Sequence, residues 1–188
     1  MTPSAASQRA GRALTSADVA RSTIVIGVAL VLQHTVLDAV RVDGAHPDLM
    51  LVLPVAAGYA AGPDRGAVFG FITGLVADLF LPTPYGLSAL VGCLLGFSTG
   101  ISTRGLVRSS WWLPPAVAAA ATAAGLGGYA ILGAVLGDPA MLKTYLAPAL
   151  VVETPFAALV AVPVLRFVAW AVPEPGASHG SASGRGLR

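Results

Sequence analysis

Gly66, Gly70, Gly74 and Asp78 recur at intervals of four residues inside an apolar run, between Gly62-Pro63 and Pro82-Thr-Pro84-Tyr-Gly86. On a helix, positions four apart share nearly one face. Three glycines on that face let another backbone come close, as small residues do between helices in membranes. The fourth position is a carboxylate, which is costly to leave facing lipid. The segment therefore reads as a membrane helix with a protein-facing side and an acid at its far end.

Composition agrees. Of the 188 residues, 55% are hydrophobic and only 11% charged, against about 25% charged in soluble domains. The mean hydropathy is +0.77. The chain reads as an all-α integral membrane protein, one membrane domain with room for about five or six spans. A formal net charge of +2 gives no reason to expect nucleic-acid binding. The single cysteine, Cys93, lies in an apolar run, so neither an internal disulfide nor a cysteine metal site is expected.

Six spans follow from the apolar runs and their breakers. They cover about 22–40, 48–62, 65–81, 86–102, 112–136 and 145–170. Polar segments 1–20 and 173–188 are expected to be disordered cytoplasmic tails around a membrane domain at 21–172. The first apolar run continues to Val40 without a small-residue cleavage site, so it reads as a retained span rather than a leader. The second span is short and carries Pro54. Fifteen residues rise only about 22 Å, against a hydrocarbon core of about 30 Å. Such a helix should be shielded by its neighbours or sit where the bilayer thins. With both termini inside, nine of the 11 cations fall on the cytoplasmic side, leaving Arg41 and Lys143 outside. Trp111, Trp112, Tyr85, Tyr145 and Trp170 lie near span ends, as interfacial aromatics do.

Several other residues invite a functional reading. Gly92, Gly96 and Gly100 repeat the four-residue spacing on the fourth span, which a short turn makes the antiparallel neighbour of the third. Gly66, Gly70, Gly74, Asp78, Gly92, Gly96 and Gly100 are thus the candidate packing or partner interface. Glu153 lies about eight residues into the sixth span, before Thr154-Pro155. A carboxyl group there must face the interior, pair, or hold a proton. Gln33 and His34 in the first span are its candidate partners at similar depth. His34 and Asp38, four apart, could pair, but no nucleophile motif accompanies them. No catalytic residue, metal ligand or cofactor site is expected.

The order Pro47-Asp48-Leu49, Gly62-Pro63, Gly66-x-x-x-Gly70-x-x-x-Gly74-x-x-x-Asp78-Leu79, then Pro84-Tyr85-Gly86, resembles the rod shape-determining protein MreD family. The likeness covers about residues 22–105; the fifth and sixth spans match in length and hydropathy only. It implies a non-enzymatic role in the membrane component of the cell-wall elongation machinery, in a bacterial plasma membrane. The partners it implies are an MreC-like bitopic protein and, through it, the MreB cytoskeleton and peptidoglycan synthases. It also implies a six-helix fold related to the substrate-binding subunits of energy-coupling-factor vitamin transporters. A vitamin-binding transporter subunit, with Glu153 and His34 as its polar groups, is the main alternative. A membrane enzyme built on His34 and Asp38 is a third.

Overall fold

In the computed structural model the described residues are Ser16–Leu37, Ala39, Pro47–Phe80, Gly86–Arg104, Trp112–Val135 and Leu146–Val172. Among them the chain is helical, with no strand. Six α-helices follow in order: α1 Ser16–Leu32, α2 Leu49–Ala61, α3 Pro63–Asp78, α4 Leu87–Ser102, α5 Leu113–Val135 and α6 Leu146–Ala171. A π-helical turn, Gln33–Leu37, extends α1. α1 begins at Ser16, inside the segment expected to be a tail, with Asp18 in its first turn where an acid favours the helix N-terminus. Asp38, Arg41, Pro84, Tyr85, Trp111, Lys143 and Tyr145 lie outside the described residues, as do residues 1–15 and 173–188.

Among the described residues three segments are long and apolar enough to cross a membrane: Ser16–Thr35, Leu113–Val135 and Ala149–Ala171. The other three helices are shorter, and they pack against one another. α2 is the centre of the bundle. Of its 13 residues, all but Leu51 are buried. α3, α4, α5 and α6 all pack against it. A helix of this length rises about 20 Å, less than the bilayer core. Its neighbours hide it.

The turn between α2 and α3 is set locally. Gly62 has φ +87°, a conformation that costs other residues a clash with Cβ. Pro63 follows at the start of α3, where its missing N–H is no loss. Before α4, Gly86 again takes a left-handed conformation, φ +97°.

Apolar packing completes the body. Leu53, Ala57, Phe69 and Val168 join α2, α3 and α6 in the main core. Val55, Leu95, Ala118 and Ala161 form a second cluster around α2, α4, α5 and α6. The outer faces stay apolar: Val68, Phe71, Ile72 and Leu75 of α3 and Leu90, Leu94 and Phe97 of α4 are exposed. In water such a surface would aggregate; against lipid it is the expected exterior. At one end of the bundle the Arg21 guanidinium lies 5.2 Å over the Trp170 ring. The start of α1 and the end of α6 are therefore side by side.

Candidate functional site

α3 and α4 meet along a glycine seam. The pairs are Gly66 with Gly96, Gly70 with Gly92, and Gly74 with Ser88. Each step of four forward along α3 is four back along α4, as an antiparallel register requires. A methyl on Gly70 would overlap the Gly92 carbonyl, and one on Gly92 would overlap the Gly70 carbonyl. Gly100 closes the seam against Pro63. Glycine is thus the only residue that fits at these positions without moving a backbone.

The seam is also where the central helix enters. Pro54 Cβ lies 3.0 Å from where a Gly70 Cβ would stand, and Pro54 Cγ 3.5 Å from that of Gly92. The proline ring fills the notch that the two glycines leave. One turn on, Gly58 meets both helices: its Cα is 2.5 Å from a Cβ placed on Gly66, and the Gly100 nitrogen is 3.0 Å from a Cβ placed on Gly58 itself. Three backbones come together at Gly58, Gly66 and Gly96. Gly58 and Ser88 were not singled out from sequence. Both continue four-residue rows, Pro54-Gly58-Gly62 and Ser88-Gly92-Gly96-Gly100, and that spacing is the signal that marks them.

Asp78 ends the seam. Its side chain is fully buried, and its oxygens accept the backbone N–H groups of Gly86 at 2.8 Å, Ser88 at 3.1 Å and Ala89 at 3.3 Å. These donors belong to the first turn of α4, which has no side-chain cap of its own. A carboxylate satisfies the orphan N–H groups and matches the positive end of the helix dipole. Asp78 is therefore a cap delivered from the preceding helix. It is not an acid displayed at the surface for a partner to reach.

A second polar group gathers at the N-terminal end of α2. Asp48 caps α2, accepting the Met50 N–H at 2.7 Å. Gln33, buried in the π-helical turn, donates to the Pro47 carbonyl at 3.0 Å and accepts the Leu49 N–H at 2.8 Å. Gln33 is thus brought to the N-terminal end of α2, where it engages Pro47 and Leu49. Glu153, in α6, is also buried, only 4% exposed. His34 is exposed and packs against Phe80, with ring centroids 4.9 Å apart and the rings tilted by 42°.

Among the described residues no cluster of three or more His, Cys, Asp or Glu could hold a metal ion. A cavity between α2, α5 and α6, lined by Val55, Tyr59, Val117 and Ala161 among others, measures about 10 Å³. That is room for about one water. Cys93 is a free, partly buried thiol. No family model, no curated protein and no solved structure matches the chain.

Proposed function

We propose that this chain is a non-enzymatic scaffold of the cell-wall elongation machinery, a six-span protein of a bacterial plasma membrane with both termini in the cytoplasm. The observation that carries the reading is the use made of the residues of the MreD-like order. Asp48 caps α2, Gly62 and Pro63 form the turn into α3, and Gly66, Gly70 and Gly74 line the seam. Asp78 caps α4, and Gly86 supplies the left-handed turn before it. The pattern that suggests the family is the same pattern that builds the rigid α2–α3–α4 body. A scaffold needs such a body, because a surface that keeps its shape loses little entropy on binding.

The pairing of Arg21 with Trp170 supports an even number of spans, since it sets the first and last helices antiparallel at their ends. The working partner is an MreC-like bitopic protein, with the MreB cytoskeleton and the peptidoglycan transpeptidase and glycosyltransferase reached through it. The vitamin-transport alternative draws no support from the cavity at Val55 and Tyr59: about 10 Å³ is far below the roughly 300 Å³ of small-ligand pockets. The direct test is co-purification in mild detergent. Recovery of a bitopic wall-synthesis protein with the tagged chain is the expected result. Recovery of a paired ATPase module, or of a bound small molecule, would favour transport instead.

A further inference from the structure

α1 is attached differently from the other helices. It rests chiefly on α6 and only brushes α2 and α3. Its inward side offers Val25, Ile26 and Ala29, while Ile24, Val28, Val31 and Leu32 face outward. There is no glycine seam here: nothing lies within 4 Å of where a Cβ on Gly27 would stand. In a bilayer, trading a smooth apolar contact for lipid changes little, because lipid tails are as apolar as the side chains. Apolar packing alone therefore holds α1 weakly.

Polar contacts supply the rest, at its two ends. At one end the Arg21 guanidinium covers Trp170. At the other, the buried Gln33 amide bonds both Pro47 and Leu49. Gln33 opens the π-helical turn, the one departure from α-helical winding in the described helices. Such wide turns cluster at functional positions. Gln33 continues the inward row of Val25 and Ala29 at steps of four, and is buried while His34, Thr35 and Val36 are exposed. The two Gln33 bonds share one planar amide, so they form and break together. Once broken, they leave polar groups in an apolar setting, which favours a docked and an undocked state over intermediates.

We propose that α1 is a displaceable strap, latched at Gln33 and steadied at Arg21, whose release bares the amino-terminal end of α2. The proposal stands apart from the scaffold reading, since it concerns how one helix is held.

Cysteine cross-linking of the full chain in lipid vesicles tests it, in a Cys93→Ser background. His34→Cys with Phe80→Cys reports the docked strap, because those rings are in contact. Leu95→Cys with Gly125→Cys reports the α4–α5 packing, because Leu95 Cδ1 lies 2.6 Å from a Cβ placed on Gly125. Gln33→Leu should slow the first cross-link about fivefold and leave the second unchanged. Adding Arg21→Ala should slow the first further. An unchanged first cross-link overturns the proposal. So does an equal loss at both sites, because Gln33 would then hold the whole fold rather than one helix.

Discussion

The carboxylate of Asp78 accepts the backbone N–H of Gly86 at 2.8 Å, and so ties the end of α3 to the start of α4. The two short helices are locked at this end by the acid and along their length by glycines. Asp78→Ala would leave three buried or half-buried N–H donors of Gly86, Ser88 and Ala89 without their acceptor. The expected cost is about 1–3 kcal/mol, and more than for Asp78→Asn, which keeps one acceptor oxygen. Thermal unfolding in detergent, comparing both variants with the parent, checks the order.

Gly70 faces the Gly92 carbonyl with no space for a side chain. Gly70→Leu should separate α3 from α4 and cost at least about 3 kcal/mol. Gly127 is the contrast, because nothing lies within 4 Å of a Cβ placed there. Gly127→Ala, in the middle of α5, should be neutral or stabilise by up to about 1 kcal/mol. The same unfolding assay separates the two; equal effects would mean that helix propensity, not the seam, governs.

Thr122 is completely buried, and its hydroxyl has no hydrogen-bond partner among the described residues. Valine has nearly the same shape and no polar group to bury. Thr122→Val should therefore raise stability by about 1 kcal/mol. A lower melting temperature would reveal a partner for that hydroxyl.

Glu153 is buried within α6, only 4% exposed. Replacing the acid by its neutral isostere keeps the shape and removes any cost of burying a charge. Glu153→Gln should unfold at the same temperature as the parent or slightly higher. A loss above about 1 kcal/mol would show that the carboxyl group itself supports the fold.

Much of the body was legible in sequence because glycine spacing and proline punctuation carry direct geometric meaning. The rows at Gly66–Gly74 and Gly92–Gly100 predict a close antiparallel pair, and the bounds of α2 to α6 fall within a few residues of those expected, while α1 starts six residues early. The burial of the short α2 is one of the two outcomes that its length and Pro54 allow. What sequence could not give was the third partner at the seam. Pro54 filling the Gly70–Gly92 notch depends on how α2 crosses the pair, which spacing alone leaves open. The same limit hid the job of Asp78: an acid at a helix end is legible, but its acceptance of N–H groups eight to eleven residues away is set by the turn geometry. Gln33 and Glu153 were expected to lie at similar depth. The role of Gln33 as a bridge to Pro47 and Leu49 depends on where the chain re-enters at α2, which no residue pattern announced.

The central claim is that a glycine-locked membrane body serves cell-wall elongation as a scaffold. Cell width measured on depletion, with re-expression of either the parent chain or Gly70→Leu, tests it most directly. The account predicts widened cells on depletion, normal width with the parent, and failure of the Gly70→Leu variant at equal membrane abundance. Normal width and normal incorporation of labelled wall precursors in depleted cells would contradict it.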